Sequence, residues 1–209
     1  MANNCYFEMK IAGKQENVQE LVEMLQKKGR FKDNGLGRVF SFNTNNIESE
    51  APESQLVSVQ GYGYCAWSLK TALRNITPCS LESETERLGL VVEAYSSEPG
   101  FSFQEHILID KGNIVHEQCI DYEEHFVSGM KENAIAKLCE KQGITQEELL
   151  KAVNDNGDYC VGGFGDDFGN FKNLFSYLSP ELKHSPQTKN LNEIISAAKQ
   201  KAEKIIDDN

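Results

Sequence analysis

The order in which the hydrophobic period changes along this chain constrains its fold more than any other feature. "CYFEMKIAG" (residues 5–13) alternates Tyr6, Glu8 and Lys10 with Phe7, Met9 and Ile11, the two-residue period of a strand with one buried face. "KQENVQELVEMLQKKG" (14–29) then places Val18, Leu21, Val22 and Leu25 on one face of a helix, with Gly29 as its stop and Lys27 and Lys28 at the negative end of the dipole. "GRVFSFN" (37–43) and "SQLVSVQGYG" (54–63) read as two further strands, and the polar "NTNNIESEAPES" between them reads as a loop. A helical stretch capped by Ser68 and carrying Leu69, Ala72 and Leu73 runs to Pro78. "SLESETERLG" (80–89) continues it with Ser80 as cap, and "LGLVVEAYS" (88–96) is a strand. The sum is β-α-β-β-α-β, which predicts an α+β fold: a ferredoxin-like antiparallel sheet with two helices on one face.

A hairpin extends that unit. Pro99 and Gly100 suit the central positions of a type II turn, and "FSFQEHILID" and "NIVHEQCID" flank the two-residue turn Lys111-Gly112. In that register His106 lies across from Glu117. Both faces of the hairpin then carry large apolar groups, so C-terminal helices are expected to cover part of the second face. After about Val127 the character changes, which divides the chain into a ferredoxin-like domain (1–127) and a helical C-terminal region (128–209) packed on it. "KENAIAKLCEKQG" is amphipathic, and "ITQEELLKAV" and "NLNEIISAAKQKAEKII" each open with a capping box, Thr145 with Glu148 and Asn190 with Glu193.

Charge narrows the function. The net charge is −11, and residues 80–125 hold only Arg87 and Lys111 against eleven carboxylates. With four arginines in the whole chain, a basic face for nucleic acid is not expected. No apolar run approaches membrane-spanning length, and "MANNCYFEMK" lacks the basic and apolar regions of a secretory signal, so the expected location is the cytoplasm. The six cysteines form no CxxC pair and are read as buried small apolar side chains.

Four groups of residues are candidates for function. The acidic segment offers Glu82, Glu84, Glu86, Glu93, Glu98, Glu117, Asp121, Glu123 and Glu124 as a contact surface. Gly61 and Gly63 alternate with Tyr62 and Tyr64 just before Trp67, the single tryptophan. Glycines sharing a strand face admit another backbone or a ligand at close range, and the three aromatics could form a ligand face. The structural reading of the same stretch is a strand end, with Trp67 packing the next helix into the core. His106 and Glu105 on one strand with His116 and Glu117 on the next are the densest titratable set. A histidine–carboxylate pair can orient an imidazole for base chemistry or metal binding, and it is also an ordinary cross-strand contact. Asp166 and Asp167 in "GGFGDDFG" offer oxygen ligands for a hard cation, in what otherwise reads as a flexible solvated loop.

At "AWS" (66–68), "EPG" (98–100), "FSFQE" (101–105) and "DKG" (110–112) the chain resembles the YubB-type ferredoxin-like domain of bacterial plasmids and phages, over roughly residues 1–125. The resemblance implies a mobile-element context and supplies no catalytic residues. The leading expectation is therefore a protein that works by protein–protein contact and needs no cofactor. Its acidic segment would engage a basic partner such as a host nucleic-acid enzyme or a defence nuclease, in the manner of an anti-CRISPR protein that mimics DNA. The alternatives are a metal-dependent hydrolase built on His106, His116 and their glutamates or on Asp166 and Asp167, and a small-molecule sensor using Tyr62, Tyr64 and Trp67.

Overall fold

The computed structural model describes residues 4–27, 38–51, 54–74 and 80–182. The strands predicted from periodicity form one sheet. β1 (Asn4–Lys14) lies inside it between β3 (Leu56–Ala66) and β4 (Val91–Glu98); β2 (Val39–Ser49) is outside β3, and β5 (Phe103–Asp110) and β6 (Asn113–Phe126) are outside β4. A seventh strand, β7 (Asp158–Gly162), pairs with the end of β6, giving the order β2-β3-β1-β4-β5-β6-β7 with every pairing antiparallel. The predicted loop "NTNNIES" is instead the second half of β2. An edge strand pairs on one side only, and polar residues there discourage pairing with other chains.

One face of the sheet packs on α1 (Gln15–Gln26), α2 (Leu81–Leu88) and a turn of π-helix at Lys70–Arg74. Phe7, Met9 and Ile11 of β1 meet Val18, Leu21 and Leu25 of α1 there, with Leu73 and Leu81 closing the core. The two caps that the sequence marks most plainly are present. Ser80 exchanges hydrogen bonds with Ser83 at the start of α2, and Thr145 does so with Glu148 at the start of α4 (Gln146–Ala152). The capping box at Asn190 lies outside the described residues.

The chain beyond residue 127 is more than a helical appendage. α3 (Glu132–Gln142) and α4 build a separate small cluster with Leu138, Cys139 and Leu149 beside Val127. They do not cover the second sheet face. That face is covered by residues 163–173, a strap rich in glycine and phenylalanine, and by α5 (Phe175–Leu182), where Leu174 and Leu178 pack on Ala12, Leu56, Val91 and Leu108. The expectation that C-terminal helices cover part of the second hairpin face therefore holds at Leu108 through α5, and the strap of residues 163–173 covers the rest around His106. Among the described residues no helix is long and apolar enough to cross a membrane.

Candidate functional site

The hairpin register decides which titratable groups meet. Lys111-Gly112 is the turn, as the sequence indicates, but Val115 bulges out between the pairs Ile109–Ile114 and Leu108–His116. One extra residue shifts every pair beyond it, so His106 faces Gln118 and Glu117 faces Ile107. The predicted His106–Glu117 pair does not form. His106 and His116 share the strap face, with ring centroids 4.7 Å apart, whereas Glu105 and Glu117 point to the helix face. Glu105 accepts hydrogen bonds there from the Leu69 amide and the Ser96 hydroxyl, each at 2.8 Å. Glu117 is clamped by Arg74, whose guanidinium also holds Glu82 at 2.6 Å.

The true partner of His106 is Glu93, a cross-sheet neighbour that sequence reading placed on the surface. Glu93 is fully buried; its Oε1 lies 2.8 Å from His106 Nε2, and its Oε2 accepts the Lys172 amide at 2.7 Å. His106 stacks flat on Tyr95, with centroids 4.0 Å apart, and Phe164, Phe168 and Phe171 of the strap surround the Tyr95 ring at 5.5 Å each. Burial, with Glu93 and Asp167 nearby, pushes the Tyr95 phenol up to about 12. The strap is thus a packed cover clasped by a buried histidine–glutamate pair. Asp166 and Asp167 sit exposed on a turn of the strap. Among the described residues, no three side chains of His, Cys, Asp or Glu are grouped to hold a metal ion.

His116 reports on this clasp. Burial first, then His106 and Lys172, hold its imidazole below its ordinary 6.5, with Glu93 acting in the opposite sense. The unfolded chain therefore binds the proton more readily. The stability linked to the neutral ring is complete above pH 6.5 and is lost as pH falls through the lower folded value. A His116→Gln variant is expected to lose less stability than the parent between about pH 7 and pH 5. Superimposable urea-unfolding profiles for the two proteins across that range would contradict this.

Of the nine proposed acidic contact residues, three are internal: Glu84, Glu93 and Glu98 are each less than a tenth exposed. The segment is acidic in part because its strands and α2 carry carboxylates inward to specific partners, which composition cannot distinguish from a charged surface. Glu84 pairs with Arg87, Glu82 and Glu117 share Arg74, and Glu123 pairs with Lys141. Glu86, Asp121 and Glu124 are exposed. The cysteines are also mixed: Cys5, Cys65 and Cys139 are buried, Cys119 and Cys160 are exposed, and Cys79 lies outside the described residues.

The stretch "GYGYCAWS" resolves into three roles. Gly61 and Gly63 face the helices, where the carbonyls of Asn43 and Ser41 on β2 approach too closely for any side chain. Tyr62 and Tyr64 face the other way and are 40% and 45% exposed, with Tyr64 edge-on to Tyr6. Trp67 does not enter the core. It is 41% exposed, has a left-handed backbone at φ 73°, and stacks at 6.3 Å on Phe101, itself 56% exposed. An aromatic residue in that conformation is strained and is retained where the surroundings fix it, commonly at ligand clamps.

Phe101 is carried by the β4–β5 turn. The Phe101 amide donates to the Glu98 carbonyl, as a turn over Pro99-Gly100 requires, but the positive φ falls on Ser102 (56°) and not on Gly100, so the turn is not type II. Register places Trp67, Phe101, Tyr64 and Tyr6 at one end of the sheet, with exposed Asp121 paired across from Phe103. Two of the three left-handed non-glycine residues described, Trp67 and Ser102, flank this corner. Of the aromatic residues at the corner, Tyr64 and Trp67 were legible from sequence as a candidate ligand face. Phe101 as the partner of Trp67 was not, since no sequence pattern links a strand end to a turn 34 residues away.

Comparison with protein families, with curated proteins and with solved structures returns no match for this chain.

Proposed function

We propose that the chain acts by contact with a basic protein partner, using the aromatic corner as its anchor. The observation that carries this reading is the half-exposed, stacked Trp67–Phe101 pair, with left-handed backbone at Trp67 itself and at Ser102 next to Phe101, at the sheet end that also carries exposed Asp121. Exposed aromatics are enriched among the residues that dominate binding energy at protein interfaces, and neighbouring carboxylates steer a basic surface toward them. Strand order β2-β3-β1-β4, with helices after β1 and β3, supports assigning the first part of the chain to the ferredoxin-like class. That assignment and the resemblance to YubB-type domains favour a phage or plasmid protein acting in a bacterial cytoplasm. The partner is a nucleic-acid enzyme of the host, with a defence nuclease as the leading case.

Exposed Glu86, Asp121 and Glu124 supply the steering charge, a smaller set than composition implies. Purified nucleases titrated with the protein are expected to bind it more weakly as salt rises from about 0.05 M to 0.5 M, because screening shortens the reach of surface charge. Phe101→Ala is expected to weaken the same complex by about tenfold or more. Binding indifferent to both salt and Phe101 would contradict the proposal.

A further inference from the structure

Among the described residues, one carboxylate at the aromatic corner lacks the partner that its burial demands. Glu98 is 2% exposed, and its Oε1 accepts the Gly100 amide at 3.0 Å. Its Oε2 is equally buried and no donor reaches it among the described residues. Its neighbour Glu105 shows the ordinary arrangement, with two donors on one oxygen. An inward carboxylate oxygen without a donor costs stability, and such a group in a folded protein calls for an explanation.

The location supplies one. Glu98 opens the turn that carries Phe101, and the pairings of Tyr6 with Ser97 and with Tyr64 set the ends of β4 and β3 on either side of β1, at the Trp67 end of the sheet. The unpartnered oxygen therefore belongs to the residue that opens the Phe101 turn, at the end of the sheet that presents the stacked rings. Both rings are about half exposed, so side-chain rotation can part them. We infer that Trp67, Phe101 and Glu98 form a receptor for a guanidinium group, the tip of an arginine on the partner protein. A planar guanidinium stacks on an indole face, gains from the ring's negative face, and donates a charge-assisted hydrogen bond to a carboxylate oxygen. Water exclusion around Glu98 strengthens that last interaction. The inference rests on the contact reading and names the chemistry of its central residue.

The test uses the protein alone. Trp67 is the only tryptophan, so its emission reports the site directly. Titration with N-acetylarginine methylamide at constant ionic strength is expected to give a saturable change in Trp67 emission. The neutral citrulline analogue is expected to bind about tenfold more weakly or not at all. Glu98→Gln keeps an oxygen for the Gly100 amide and removes the charge; it is expected to abolish the preference for arginine over citrulline. Phe101→Ala, on an exposed turn, tests the stack without touching the interior and is expected to weaken arginine binding by about fivefold or more. No saturable response, an equal response to citrulline, or an unaltered preference in Glu98→Gln overturns the inference. If the probe binds but no basic protein does, the contact reading fails alone. If a basic protein binds and the probe does not, this inference fails alone.

Discussion

Replacing Glu93 with alanine is expected to destabilise the protein by about 2–5 kcal/mol, from two buried hydrogen-bonding partners left unsatisfied at about 1–3 kcal/mol each. The magnitude follows from what is left behind. Glu93 serves two partners with its two oxygens, His106 Nε2 at 2.8 Å and the Lys172 amide at 2.7 Å. Truncation leaves a buried imidazole and a backbone N–H with no acceptor, and each carries its own desolvation cost. The Lys172 amide belongs to the strap, so the loss should fall first on residues 163–173, whose phenylalanines then close on Tyr95 without an anchor. Glu93→Gln keeps the shape and one acceptor and should cost about 1–2 kcal/mol. Urea denaturation measures the totals, and amide hydrogen exchange across 163–173 measures where the loss is localised. A Glu93→Ala midpoint close to that of the parent would refute the clasp.

Glu93 also shows where sequence reading stops. Its strand, "LGLVVEAYS", was legible because Val91, Val92 and Ala94 leave little alternative, and β1, β3, α1 and α2 follow from equally plain periodicity. A glutamate inside such a run looks like the solvent-facing member of an alternating strand. Whether it faces water depends on what covers that face, and the cover comes from residues 163–173, which are glycine-rich and lack any period. Their phenylalanines carried the signal: Phe164, Phe168 and Phe171 in a supposedly solvated loop are too apolar to be left in water. The bulge at Val115 was invisible for a different reason. It changes the count of residues between strands without changing composition, and it moved His106 from the predicted Glu117 to Gln118. Of the four titratable groups that the sequence brings together, His106 and His116 meet on the strap face, Glu105 and Glu117 lie on the other, and the partner Glu93 was outside the set.

Gly63→Ala is expected to cost about 3 kcal/mol, at the upper end of the usual range for overpacking. A methyl at this position would overlap the carbonyl oxygen of Ser41 and lie 3.0 Å from Phe7 Cζ. The first is backbone of the paired strand β2 and the second is a fully buried ring, so neither can yield as an exposed side chain would. The missing side chain is what lets Phe7 and Phe42 stack in parallel across β3, 5.9 Å apart with planes 4° from coplanar. Gly61 is constrained alike, with its would-be Cβ 2.6 Å from the Asn43 oxygen. Close approach of another backbone was one reading of these glycines, and β2 is the backbone concerned. Tyr62 supplies the control. It lies between them on the opposite face and is 40% exposed, so Tyr62→Ala should cost less than about 1 kcal/mol. Thermal unfolding of the two variants should therefore separate them clearly. Equal losses would mean that β2 is free to move away, and that the β2–β3 pairing contributes little to holding the Trp67 end of the sheet in place.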